Sequence, residues 1–203
     1  MKKKLPNILT ISRIVLSIIV LCLIGLPWYK FNITWPSYMF GGKVVLELNY
    51  IIAAIIFAIA CLTDMLDGYL ARKYDAVSDF GKCMDAIADK VLVNGVLIIL
   101  AYNHNIALIV PVIIVIRDTF VDAIKMISAS KKKVIGASMA GKVKTVFMMI
   151  GIIFVLIGNL PFEFFNLAVD QGIVLIATCL SVYSGIEYYL ANKEVFNIES
   201  KQV

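Results

Sequence analysis

Six apolar segments, at about 8–27, 48–71, 83–102, 106–128, 140–159 and 172–191, occupy most of the 203-residue chain. Each approaches the roughly 20 residues that an α-helix needs to cross a hydrocarbon layer. A lipid interior gives backbone N–H and C=O groups no water to bond, so spanning runs of this length fold as helices. Composition agrees: the chain is 61% hydrophobic and 16% charged, where a soluble globular domain has roughly 45–50% and about 25%. The expectation is an all-α membrane protein of six transmembrane helices. No internal repeat or low-complexity segment divides it, so residues 1–203 read as a single domain.

Lys2-Lys3-Lys4 before an apolar run resembles a secretory signal. Arg13 interrupts that run, no small-residue cleavage pattern follows, and further spans come after, so the segment reads as a retained first helix. The connection between the first two helices is longer and aromatic; Trp28, Tyr29, Trp35 and Tyr38 read as an interfacial belt. Asn103-His104-Asn105 reads as a tight turn, and Asn159-Leu160-Pro161 marks the last connection.

Lys and Arg counts orient the bundle. With the N-terminus taken as cytoplasmic, 17 of the 19 Lys and Arg residues fall on that side, and only Lys30 and Lys43 fall opposite. Both termini are then cytoplasmic, and the protein is a multi-pass protein of the cytoplasmic membrane. The net charge of +5 is spread along this face and suits anionic lipid headgroups rather than nucleic acid; Lys131-Lys132-Lys133 reads as an anchor of that kind.

The residue inventory excludes several chemistries. Cys22, Cys61, Cys83 and Cys179 stand singly in apolar runs with no C-x-x-C spacing, which argues against a disulfide framework or zinc site. The one histidine, His104, sits in the Asn-flanked turn, so Ser-His-Asp catalysis and zinc hydrolysis lack their parts. Chemistry falls to carboxylates, lysines and arginines.

Length then locates those groups. Only 12 residues separate Lys90 from Asn103, too few for a span, so the third helix begins near Cys83 and contains Asp85 and Asp89. The second has only 16 uncharged residues between Glu47 and Asp64. The fourth needs Arg117, Asp118, Asp122 and Lys125 within its length, and the fifth starts near Lys142. Ionisable groups inside a membrane are costly, about 2.5–3.5 kcal/mol each on insertion scales, and they line water-filled cavities. The four helices therefore predict a polar cavity open to the cytoplasm.

Residues 64–89 read D-M-L-D-G-Y-L-A-R, eight residues, then G-K-C-M-D-A-I-A-D. Asp64 and Asp67 are i,i+3, Asp85 and Asp89 are i,i+4, and each pair shares a helix face. Four carboxylates converging at this depth repel one another unless cations hold them. Hard divalent cations with oxygen ligands fit, two of them if carboxylates bridge. Gly68 and Gly81 leave room for a close ligand, Ala71 keeps the wall thin, and Arg72 offers a fork suited to phosphate oxygens. The combination points to phosphoryl-type transfer at the membrane surface. Salt bridging of the aspartates to Arg72, Lys73, Lys82 and Lys90 is the simpler alternative, but it would not require glycine and alanine at those offsets. A divalent-cation transporter also needs intramembrane carboxylates, though such sites lie at the midplane between repeats.

The spacing D-x-x-D-G-x-x-A-R-x8-G-x-x-x-D-x-x-x-D, complete over 26 residues, resembles the signature of the CDP-alcohol phosphotransferases. The resemblance implies a six-helix membrane enzyme, a homodimer using two Mg2+ or Mn2+ ions per site, that joins a CDP-activated lipid or alcohol to an acceptor hydroxyl and releases CMP. By position it implies that Asp64, Asp67 and Asp85 hold one metal and Asp64, Asp85 and Asp89 the other. Asp89 would also be the catalytic base, and Gly68, Ala71, Arg72 and Gly81 would line the nucleotide diphosphate site.

Three further patches are similar to the bacterial phosphatidylglycerophosphate synthase branch: Leu5-Pro6-Asn7-Ile8-Leu9-Thr10-Ile11-Ser12-Arg13, Gly141-Lys142-Val143-Lys144-Thr145 and Ser184-Gly185-Ile186-Glu187-Tyr188. The branch implies transfer from CDP-diacylglycerol to sn-glycerol 3-phosphate in phospholipid biosynthesis, with membrane lipids around it. Arg117, Lys142 and Lys144 would bind the acceptor phosphate; pairing with Asp118 and Asp122 or with lipid phosphates is their alternative role. Ala86 and Arg117-Asp118 stand where that branch often carries Pro and Arg-Glu. Inositol phosphate, phosphatidylglycerol or serine would keep the same metal site as acceptors, and three basic residues disfavour serine.

Overall fold

The computed structural model describes residues 5–73, 79–130 and 139–193; within these helices the side chains of 5–9, 65–83, Asp85 and Ser130 are not described. The lysine runs Lys2–Lys4 and Lys131–Lys133 lie outside the described residues. Six α-helices follow in order: α1 Leu5–Gly25, α2 Leu48–Lys73, α3 Asp79–Tyr102, α4 Ile109–Ser130, α5 Met139–Leu156 and α6 Val169–Asn192. The expected helices are all present. The largest shift of boundary is at α3, which starts four residues earlier than the apolar pattern; α5 stops three residues short, at Leu156, where Gly158 and Asn159 adopt positive φ.

The aromatic connection holds an element that the apolar pattern does not predict. Strands β1 Ser37–Phe40 and β2 Val44–Glu47 pair antiparallel, with Phe40 opposite Val44, and Gly41 and Gly42 turn the hairpin at φ +56 and +70. That backbone suits glycine. Val44 and Leu46 are buried on one face, while Val45 and Glu47 are exposed. The buried face lies over Gly158, where an added Cβ would come within 3.0 Å of both Val44 and Leu46. Lys43 fastens the hairpin by donating to Asn166 Oδ1 at 3.1 Å.

The core gathers all six helices: Val20 and Ile24 from α1, Phe57 from α2, Leu97 and Leu100 from α3, Ile114 from α4, Met148 and Ile152 from α5, and Val174 from α6. Small residues permit the close approach. Ala53, Ala54 and Ala60 are buried on α2, and an added Cβ on Gly95 of α3 would lie 2.8 Å from Leu21 of α1. A smaller cluster, Val121 and Ile124 with Tyr188, joins α4 to α6.

The outward faces are apolar as well: Ile18, Ile55, Leu62, Ile98, Ile116, Val146 and Leu175 are all exposed. Several helix hydroxyls bond inside their own helix, as in Thr119 to Val115 O, Ser128 to Ile124 O and Thr178 to Val174 O, each at 2.8 Å. Met139–Leu156 and Val169–Asn192 are long and apolar enough to cross a membrane by length and composition. These features are consistent with a membrane protein.

One end of the bundle carries the hairpin and the tight turn after α3. There Asn103 donates to Ile24 O at 3.2 Å and Tyr50 Oη at 2.8 Å, joining α1, α2 and α3. The opposite end collects the charged stretches of α2, α3, α4 and α5.

Candidate active site

The acidic run of residues 64–89 straddles two helices. Asp64 lies on α2 with Asp67 one turn further; Asp89 lies on α3 with Asp85 one turn before. The side chains of Asp67, Gly68, Ala71, Arg72, Gly81 and Asp85 are outside the described residues. Of the four aspartates, Asp64 and Asp89 are described, and they lie within electrostatic reach of each other. Among the described residues no three His, Cys, Asp or Glu side chains are placed to hold one metal ion. The two described donors are carboxylates on two helices that both pack on α1, with like charges within reach of each other, a donor set that fits a hard divalent cation.

Arg13, on α1, joins this group. Its Nη1 lies 2.6 Å from Asp64 Oδ1, with the arginine side chain 1% exposed and the aspartate 39%. In the sequence Arg13 interrupts the first apolar run and closes the Leu5–Arg13 patch, with nothing there to name its partner. The available signal was an arginine placed where the span needs apolar residues, since such a charge requires a partner inside the bundle.

Beside Asp89 opens a cavity of about 220 Å3 between α3, α4, α5 and α6. Its described lining holds three carboxylates, Asp89, Asp118 and Asp122, and five cations, Lys90, Arg117, Lys125, Lys142 and Lys144. The surplus of two positive charges matches a dianion. The structure thus brings Arg117, Lys142 and Lys144 to one cavity and places Asp89 in its wall.

Pairing inside the cavity is specific. Asp118 Oδ1 receives Arg117 Nη1 at 3.0 Å and Lys144 Nζ at 2.9 Å. Lys90 bridges α3 to α4 through Asp122. The alternative role for Arg117 and Lys144 is therefore real, and both still line the cavity. Lys142 lines the cavity and is exposed.

Arg117 is held mainly by α6. Its Nε donates to Ser181 O at 3.2 Å and its Nη2 to Ser184 Oγ at 2.7 Å. Gly185 makes the passage: a Cβ there would lie 3.0 Å from Arg117 Cγ. A guanidinium has five N–H groups; three are spent on these bonds and on Asp118, leaving two without a partner among the described residues. Ser184 stood in the sequence only as the first residue of the Ser184–Tyr188 patch, with no role given, and Ser181 could not be found because it meets Arg117 through its backbone carbonyl.

Comparison with known proteins gives this arrangement its class. The sequence pattern of the CDP-alcohol phosphatidyltransferase family matches residues 3–183. A Bacillus subtilis protein named CDP-diacylglycerol--glycerol-3-phosphate 3-phosphatidyltransferase is 34% identical over 190 residues, 94% of this chain and 95% of its own length. Proteins of the same name from Mycoplasma genitalium and Haemophilus influenzae are 39% identical over 153 residues and 31% identical over 194. These alignments cover 75% and 93% of this chain; the chain spans 64% of the Mycoplasma protein's length and 92% of the Haemophilus protein's. The chain belongs to the CDP-alcohol phosphatidyltransferase family. It is accordingly a transferase, which sets aside the cation-transporter reading of its acidic run.

Proposed function

We propose that this chain transfers the phosphatidyl group of CDP-diacylglycerol to sn-glycerol 3-phosphate, giving phosphatidylglycerophosphate and CMP in phospholipid biosynthesis. The observation that carries the acceptor assignment is the cavity beside Asp89, with its surplus of two positive charges. A phosphomonoester dianion complements that surplus, whereas zwitterionic serine does not. The names of the bacterial relatives support the same acceptor.

In the reaction an acceptor hydroxyl oxygen bonds to the lipid-side phosphorus in line, the bond from that phosphorus to the bridging diphosphate oxygen breaks, and CMP leaves. Asp89 takes the hydroxyl proton, which requires it to be ionised and within hydrogen-bond reach. Asp64, Asp67, Asp85 and Asp89 would hold two divalent cations, Mg2+ or Mn2+, whose charge offsets that of the diphosphate and leaving group. Gly68, Ala71, Arg72 and Gly81 would accommodate the nucleotide diphosphate. Arg117, Lys142 and Lys144 would hold the acceptor phosphate across the cavity.

The setting that fits this chemistry is a single domain of six spans in the cytoplasmic membrane, both termini and the cavity facing the cytoplasm, assembled as a homodimer among membrane lipids. Acyl chains then remain in the bilayer while the headgroup enters from the side.

CMP release by purified protein with CDP-diacylglycerol, offered glycerol 3-phosphate, inositol 1-phosphate, serine or phosphatidylglycerol separately, tests the assignment. Release with glycerol 3-phosphate alone is expected. Release with a different acceptor would overturn the acceptor while keeping the class.

A further inference from the structure

Tyr188 lies outside every role given so far, although the chemistry around it is incomplete. It is 4% exposed, and its hydroxyl is buried with no hydrogen-bond partner among the described residues. Buried polar side-chain atoms are paired in the large majority of cases. Most described serines and threonines of the helices solve the problem by bonding back three or four residues, as Thr145 does to Gly141 O at 3.1 Å, while Ser181 Oγ shares with Tyr188 the lack of a partner among the described residues but does not line the cavity. A phenol reaches too far from its own backbone for that.

The hydroxyl is placed with some care. Ser181, Ser184 and Tyr188 fall at i, i+3 and i+7 on one buried face of α6. The first two anchor Arg117, and Tyr188 stands one turn further toward the charged end. Its ring packs against Val121 and Ile124 of α4, so the aromatic body is fixed and the residue reaches the cavity wall.

Donors of the same cavity are largely committed. Arg117 and Lys144 bond to Asp118, Lys90 meets Asp122, and the Thr145 proton goes to Gly141. Tyr188 is left as the cavity hydroxyl whose proton has no acceptor among the described residues.

We propose that Tyr188 is a further acceptor-binding residue, its phenolic hydroxyl donating a hydrogen bond to a phosphate oxygen held in the cavity by the cations of α4 and α5. The inference rests on the proposed acceptor only in that the acceptor carries a phosphate. A hydrogen bond to a charged group is among the stronger ones in proteins, and Tyr188 adds it without adding charge.

Tyr188→Phe removes one oxygen and keeps the ring. Its KM for glycerol 3-phosphate should rise about ten- to hundredfold, with the KM for CDP-diacylglycerol unchanged. Inorganic phosphate, competing with glycerol 3-phosphate, should lose inhibition by the same factor. The unfolding temperature of the ligand-free protein should not fall, since the removed hydroxyl had no partner, while the rise that phosphate gives the wild type should shrink. An unchanged acceptor KM with unchanged phosphate inhibition would overturn the proposal. So would a lower ligand-free unfolding temperature with both KM values raised together, which marks structural support. If the wild type does not use glycerol 3-phosphate, the acceptor assignment fails separately, and thermal protection by inorganic phosphate still decides the role of Tyr188.

Discussion

Arg13 of α1 reaches Asp64 of α2 at 2.6 Å from an almost fully buried position. The first helix therefore ends its polar work at the first aspartate of the acidic run. A buried guanidinium beside a carboxylate holds that carboxylate in one orientation and competes with any cation for it. Orientation and competition have opposite consequences, and a substitution can separate them.

In Arg13→Met, kcat should fall about tenfold as Asp64 loses its orientation, a loss of about 1.4 kcal/mol in transition-state stabilisation. The Mg2+ concentration for half-maximal activity should not rise, because a competing positive charge has gone. Titrating activity against Mg2+ in both proteins checks this. A large rise in the Mg2+ requirement would mean that Arg13 serves chiefly to shape the metal ligand.

Asp118 carries two cations on one oxygen, so Asp118→Asn should destabilise the protein by about 3 kcal/mol, the scale for leaving a buried charge without its partner. Lys144 is the more buried of the two, with its side chain 8% exposed. Adding Lys144→Met to Asp118→Asn should recover part of that loss. Unfolding of the single and double variants gives the coupling energy, expected above about 0.5 kcal/mol for groups in direct contact.

Gly185 lets Arg117 cross α6. In Gly185→Ala the new methyl would meet Arg117 Cγ at 3.0 Å, which moves the guanidinium off Ser181 and Ser184 by a few tenths of an ångström. The expected result is a several-fold higher KM for the acceptor with little change in unfolding temperature. Gly185→Val should do more on both counts. Kinetics of the two variants with acceptor varied at saturating CDP-diacylglycerol make the comparison.

At the other end, Asn103→Ala removes the bonds to Ile24 O and Tyr50 Oη. It should cost about 1–3 kcal/mol in stability and leave KM and kcat unchanged below the unfolding transition, since the cavity lies at the opposite end of the helices. Thermal unfolding followed alongside activity tests this division of labour.

What the sequence made legible follows from spacing. The acidic run was readable because Asp64, Asp67, Asp85 and Asp89 sit at fixed helical offsets, and the helices because apolar runs of their length have few alternatives. The β1–β2 hairpin escaped because its strands are four residues each and their burial depends on the far-off Gly158. Arg117 and Lys144 were found as cations, but their shared bond to Asp118 joins α4 to α5, and no periodicity within one helix predicts it. Ser184 and Tyr188 stood out only as the ends of a patch similar to the synthase branch, and Ser181 not at all. Their roles come from what faces them across the bundle.

Transfer of label tests the central claim most directly. Purified protein with CDP-diacylglycerol, Mg2+ and radiolabelled glycerol 3-phosphate should move label into the lipid phase, one molecule for each CMP released. Asp89→Asn should slow that transfer by about a hundredfold or more. CMP release without label in lipid, or transfer undiminished in Asp89→Asn, would contradict the account.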